Sequence, residues 1–300
     1  MVNGTDGEHL PSDELPDDDP RFEDHGLLAG IPEDEDELPG VPTEIRLRRD
    51  DPSGTIVLDR PARRNALTRR TLTELETAFD DLHRAGPVRA VILTGAGSAF
   101  CAGTDLREIR SQVGDDEQRH LWKEDADRMR QLLQTMLRFP KPIIAAVNGP
   151  VRGFGIALLA ACDIVVASER ADFALPEARI GLVAAQAAPL LSFRIGAGAT
   201  SYLMLTGRTI DAQRAREIGL VHETLRDDLV WARAQELAKE CARGARESIQ
   251  LAKRLINETI GETLELHDAV AAAYTATART TESAAEGVRA FLERRPPRWS

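Results

Sequence analysis

The 300-residue chain predicts an α/β fold with a mainly parallel sheet, passing into an all-helical C-terminal part. Two observations carry that prediction. Apolar runs at 88–94, 143–147 and 164–167 alternate with helical patterns, as in parallel strands joined by right-handed crossovers. After Asp228 every pattern is helical. With 42% hydrophobic and 29% charged residues the chain is of globular composition, long enough for one large domain or two small ones.

The elements follow in order. Glu44-Ile-Arg-Leu-Arg alternates as a strand does, and Gly54-Thr-Ile-Val-Leu follows a Pro-Ser-Gly turn. Arg60–Leu67 reads as a loop. Thr68 or Thr71 caps a helix with Leu72, Leu75, Phe79 and Leu82 on one face, ending at Gly86-Pro87. Val88–Thr94 is a buried strand leading into the loop Gly95–Asp105. Leu106–Arg138 carries helical spacing, read as two helices broken near Gly114. Ile143–Val147 is a strand, Asn148-Gly149-Pro150 a turn, and a small-residue helix begins near Gly153. After the strand Ile164–Ala167, residues 171–181 read as irregular and present Glu177. Residues 186–207 are helical, Asp211 caps a helix closed by Gly219, and Leu220–Thr224 is a short strand. Helices at 229–243, 245–259, 262–281 and 284–294 complete the chain.

The net charge of −11 is unevenly spread. Residues 1–40 hold 14 acids against one Arg, or −13, which leaves 35 acids and 37 bases, or +2, for the remainder. Such an acidic tail buries too little apolar surface to order itself, and no motif gives it a docking role. A near-neutral body has no electrostatic footprint for nucleic acid. Three scattered cysteines fit a reducing cytoplasm, no signal or transit pattern opens the chain, and no apolar run spans a bilayer. A soluble cytoplasmic protein is expected. The six histidines form no metal-ligand grouping, so no metal is expected. Gly95-Ala-Gly fails as a dinucleotide fingerprint because Phe100 stands where a third small residue is required.

Phe139–Asp163 is the stretch the rest is organised around. Gly153 and Gly155 at a helix start allow a ligand close to unpaired N–H groups, which suits a phosphate, a carboxylate or an oxyanion. They equally allow close helix–strand packing, and both readings stand.

Asn65-Ala-Leu, Phe100-Cys-Ala-Gly-Thr-Asp-Leu, Pro142-Ile-Ile-Ala-Ala-Val-Asn-Gly, Ala161-Cys-Asp-Ile-Val-Val-Ala and Leu205-Thr-Gly-Arg with Ala215 and Gly219-Leu-Val together resemble the enoyl-CoA hydratase/isomerase (crotonase) superfamily, in order from about Glu44 to Trp299. The resemblance implies a crotonase-like spiral fold of ββα units. It divides the chain into an acidic tail (1–40), a core (41–226) and a helical region (227–300) that makes trimer contacts, with trimers or hexamers as assemblies. It implies an acyl-CoA thioester as substrate and no cofactor beyond the coenzyme A of that substrate.

It also implies the site. The thioester oxygen would be held by the backbone N–H groups of Thr104, in Ala102-Gly103-Thr104-Asp105, and of Phe154, between Gly153 and Gly155. Glu177 would be the catalytic base, with Phe173, Leu175 and Ile180 lifting its pKa. Hydratases of the family carry a second glutamate twenty residues earlier, where this chain has Ala157, and Gly181–Gln186 lacks the glycines usual there. A single carboxylate resembles the family's enoyl-CoA isomerases, although some hydratase/lyases also keep only the second acid. A hydratase using Glu177 with another partner and a catalytically degenerate CoA-binding protein are the alternatives. Arg63 and Arg64 are candidates for CoA phosphates. Ala102, Gly103, Asp105 and Gly153 line the substrate path, with Asp105 read as a helix cap. Arg69 and Arg70 are read as a solvated basic turn, and His120 and Trp122 as surface packing.

Overall fold

The computed structural model describes residues 43–109, 116–258 and 261–299. The acidic tail and the break near Gly114 lie outside the described residues.

Strands β1 (Ile45–Asp50) and β2 (Ser53–Leu58) form an antiparallel hairpin. From β2 the sheet continues in parallel through β3 (Ala90–Gly95), β4 (Ile143–Val147), β6 (Ile164–Ser168) and β9 (Glu223–Leu225), in the order β1-β2-β3-β4-β6-β9. β2, β3 and β4 are buried at every residue, as continuous apolar runs covered on both faces require. A second sheet of three short strands, β5 (Val151–Arg152), β7 (Asp172–Ala174) and β8 (Ile210–Asp211), stands beside it in the order β5-β7-β8. Segment 171–181 is therefore more regular than its sequence predicts: β7, then a 3-10 turn at Pro176–Ile180. Strands of two or three residues carry no readable period. The strand expected at Leu220 begins only at Glu223, while Leu220 and Val221 are buried in the turn before it.

Helix α1 (Arg69–Arg84) opens with a reciprocal capping box: Thr71 N–H donates to the Thr68 hydroxyl and Thr68 N–H to the Thr71 hydroxyl, each at 3.0 Å. Both threonines named from the sequence are thus used. Its buried face is the predicted Leu72, Leu75, Phe79 and Leu82. After α2 (Leu106–Ile109) and α3 (Asp116–Arg138), α4 (Phe154–Ala161) is buried at every residue. α5 (Ala188–Thr206) bends at Gly196, which has φ +78° and no helical conformation. Asp211 caps α6 (Ala212–Glu217) by accepting Arg214 N–H at 2.7 Å.

Alternation along the central strands divides the core. Val91, Leu93, Ile143 and Ala145 face α1 and α4, while Ile92, Ile144 and Ala146 face Val230, Ala234 and Leu237 of α7 (Asp227–Ala242). Helices α8 (Arg246–Glu258), α9 (Gly261–Arg279) and α10 (Glu282–Leu292) follow. Lys253 pins α8 to the core: its Nζ donates to Asp163 Oδ2 at 2.7 Å and to the carbonyls of Met136 and Lys141. α10 lies against the Pro176–Ile180 turn at two glycines. A Cβ at Gly181 would strike the Ser283 carbonyl, and one at Gly287 would strike the Ile180 carbonyl.

Candidate active site

The loop before α2 is fastened from three sides. Leu67 N–H donates to Gly103 C=O at 2.7 Å and Asp105 N–H to Leu67 C=O at 2.8 Å. Ala102 N–H donates to Arg64 C=O at 2.9 Å, and Arg152 N–H to Cys101 C=O at 2.9 Å. Behind it, Asn65 Nδ2 donates to Ala96 C=O and Ala99 C=O at 2.9 and 2.7 Å, while Asn148 Nδ2 donates to Gly97 C=O at 2.8 Å. The sequence places Asn65 in a loop and Asn148 in a turn, each within a motif, without a scaffold role for either side chain. Their scaffold role was missed because a side chain that substitutes for a turn's backbone partners leaves no periodic signal.

Gly103 brings this loop onto the start of α4. It has φ +84°, and a Cβ there would lie 2.8 Å from Arg152 C=O and 3.3 Å from Phe154 N. Gly153 is the N-cap of α4, with φ +54°, and its N–H donates to Ala174 C=O at 3.1 Å. The N–H groups of Thr104 and Phe154 meet no acceptor among the described residues. Two orphan donors on neighbouring loops, one at a helix N-terminus, suit a developing oxyanion. Of the two glycines flanking Phe154, Gly155 is a packing glycine whose Cβ would strike Cys101, whereas Gly153 faces the site. The packing reading thus accounts for Gly155, while Gly153 stands against the Glu177 carboxylate.

Glu177 completes the group. The 3-10 turn that carries it closes at Gly181, in the left-handed conformation with φ +68°, and Leu182 N–H donates to Glu177 C=O at 2.9 Å. Its carboxylate Oε1 lies 2.6 Å from where a Cβ on Gly153 would sit, and the Cα of Gly103 lies 3.8 Å from the same point. Carboxylate, Gly103 and helix start thus converge. Oε2 is shielded from solvent and has no hydrogen-bond partner among the described residues. Burial pushes the carboxyl up to about 7, only partly offset by a hydrogen bond from its own backbone. Phe173 and Leu175, which lead into this turn, are each 1% exposed.

Ala157 lies one turn into α4 at 0% exposure, within the main core, and brings no carboxylate. Asp105 Oδ1 accepts Arg107 N–H at 3.1 Å at the start of α2, and its Oδ2 lies 3.2 Å from Arg60 Nη1. That is a capping geometry. Arg63 and Arg64 are exposed on the loop whose carbonyl holds Ala102. The thiols of Cys101 and Cys162 are fully buried and pushed up to about 12, so neither is a nucleophile.

Two expectations are corrected. Arg69 is no solvated turn residue: its Nε and Nη2 form a bidentate pair with the buried Asp125 at 2.6 and 2.8 Å. Trp122 is buried at 3% exposure, although His120, a helical half-turn away, is exposed and pairs with Glu124. The partner that draws Arg69 inward stands 56 residues downstream, beyond local pattern.

The enoyl-CoA hydratase/isomerase family model matches residues 53–300. A protein of Thermus thermophilus whose provisional name is enoyl-CoA hydratase is 39% identical over 246 residues, covering 81% of this chain and 96% of the relative. The 2,3-dehydroadipyl-CoA hydratase of Escherichia coli is 33% identical over 243 residues, covering 81% and 92%. An enoyl-CoA hydratase of Mycobacterium avium, known from its crystal structure, superposes with a TM-score of 0.77 at 31% identity, covering 87% of this chain and 100% of that one. The fold is the crotonase fold, α/β with a helical C-terminal region. The chain belongs to the enoyl-CoA hydratase/isomerase family.

Proposed function

We propose that the protein is an acyl-CoA enzyme that moves a double bond in a 3-enoyl-CoA with Glu177 as its single base. The observation that carries this reading is the pairing of one desolvated carboxylate with an alanine at position 157. With its carboxyl lifted to about 7, Glu177 takes the proton from Cα of the thioester and returns it at Cγ. Between the two steps the charge rests on the thioester oxygen, held by the Thr104 and Phe154 N–H groups, each such donor worth roughly 10²–10³ in rate. A backbone donor tolerates the Phe154 side chain. No second acid is needed, because no water is activated.

Coenzyme A then belongs to the substrate, and Arg63 and Arg64 meet its phosphates from the exposed loop. The exposed apolar residues Leu205 of α5, Leu251 and Ile256 of α8, and Leu266 and Tyr274 of α9 support self-association into a trimer or hexamer.

The names of the Thermus and Escherichia relatives favour a second reading, hydration with Glu177 aided by another group. Product analysis by mass spectrometry, with 2-enoyl-CoA and 3-enoyl-CoA supplied separately, decides between them. Conversion of the 3-enoyl thioester at unchanged mass, with no water adduct from either, is the expected result. A product heavier by one water supports hydration, and CoA binding without turnover of any enoyl-CoA supports a degenerate binding protein.

A further inference from the structure

We propose that Asp125, on α3, is a positioning residue that holds the two halves of the site at their working separation through Arg69 and Arg279. This rests on the acyl-CoA reading above. The path from one half is continuous. Thr104 lies between Gly103 and Asp105, which both bond to Leu67. Two residues on, Arg69 N–H donates to Glu108 Oε2 of α2 at 2.9 Å, and its guanidinium grips both oxygens of Asp125.

From Asp125 the path runs to the other half. Arg279 Nη1 donates to Asp125 Oδ2 at 3.2 Å from a side chain that is 4% exposed. Arg279 is the last residue of α9. Thr281 then caps α10 by accepting Ala284 N–H at 3.1 Å. α10 in turn presses its Ser283–Ala284 backbone and Gly287 onto Ile180–Gly181, the close of the turn that carries Glu177. Asp125 is thus a buried carboxylate shared by two arginines, one anchoring the oxyanion side and the other the base side. A planar guanidinium in a bidentate pair fixes direction as well as distance. Misplacing a base by about 1 Å relative to the donors costs on the order of 10² in rate, without a matching loss of ground-state binding.

The test compares Asp125→Asn with wild type in steady-state kinetics, thermal unfolding and a ¹³C NMR titration of glutamate carboxyls, with Glu177 assigned through Glu177→Gln. The expected result is a fall in kcat of at least about tenfold with KM changed less than about threefold. The Glu177 midpoint should also drop from about 7 toward the ordinary 4.5, as water reaches a loosened turn. Asp125→Glu, which keeps the charge, should recover part of both. Lys253→Met, which breaks the buried pair with Asp163 elsewhere in the fold, should lower Tm while leaving kcat and the midpoint in place.

Loss of Tm in Asp125→Asn with kcat and the midpoint unchanged would overturn the proposal and leave only a structural ion pair. If that variant does not fold, Arg69→Lys keeps the charge and loses the fork, and the same two readouts decide. If wild type turns over no enoyl-CoA, the acyl-CoA reading fails on its own. The Glu177 midpoint in the variants then still decides whether Asp125 reaches the base.

Discussion

The Glu177 carboxylate occupies the space that a side chain on Gly153 would fill: Oε1 lies 2.6 Å from the ideal Cβ position. The glycine is required twice over, because its φ of +54° also disfavours any residue with a Cβ. Gly153→Ala therefore displaces the carboxylate from the start of α4 and strains the N-cap. The expected outcome is a loss of kcat/KM of about 10² or more, with roughly 1–2 kcal/mol of stability, read by steady-state kinetics and thermal unfolding. Gly155→Ala is the contrast, since its Cβ would strike the Cys101 side chain and carbonyl instead. There the stability loss should dominate.

Glu177→Gln should separate activity from stability. On the proposed mechanism, the loss of this base should cost about 10²–10⁴ in kcat. The folded carboxyl sits near 7 against 4.5 in the unfolded chain, so between these values the folded state binds the extra proton. Its contribution is fully present below 4.5 and is lost as pH rises through 7. At pH 8 the ionised group thus destabilises the fold by up to about 3 kcal/mol, and the amide should raise Tm there, though not at pH 4.5. A Tm unchanged or lowered at pH 8 would contradict the buried, partnerless Oε2.

The proposed base also predicts a rate profile. A base must be ionised, so kcat/KM for the free enzyme should climb tenfold per pH unit below about 7 and level off above it. In Glu177→Gln the residual rate should lose that inflection. A profile flat from pH 5 to 8 would mean that another group takes the proton.

Asn65 carries a prediction about the scaffold. It is buried, takes Arg60 N–H on Oδ1 at 2.9 Å, and gives Nδ2 to the carbonyls of Ala96 and Ala99. Asn65→Ala leaves those groups unpaired, each costing about 1–3 kcal/mol when fully buried. It also places alanine at φ +57°. Chemical denaturation should register a loss of at least about 2 kcal/mol.

How far the chain was legible in sequence follows from which forces are local. β4, β6 and α1 were readable because period and capping act over a few residues: Thr68, Thr71 and the Leu72–Leu82 face suffice for α1. β5 and β8 were not, since two residues cannot show a period and their pairing depends on β7. At the site, Glu177, Gly153 and the Gly103 loop were found through motifs, and the convergence of these residues on one point needed the fold. Arg69–Asp125–Arg279 was out of reach, because its members are separated by 56 and 154 residues and each alone looks like a surface charge.

Ala157 offers the sharpest separation of the two reaction readings. Its Cβ is fully buried on the helix that begins at Phe154, so a glutamate there enters packed core. Ala157→Glu should cost about 1–3 kcal/mol from overpacking and desolvation. A second carboxylate one turn into α4 also supplies what a single-base site lacks, a second group to orient a water for attack at Cβ. The folded variant should therefore yield a product heavier by one water from 2-enoyl-CoA and lose part of its 3-enoyl isomerisation. Wild type should yield no such product. If mass spectrometry finds the water adduct equally in both, position 157 does not govern the reaction, and a different residue partners Glu177.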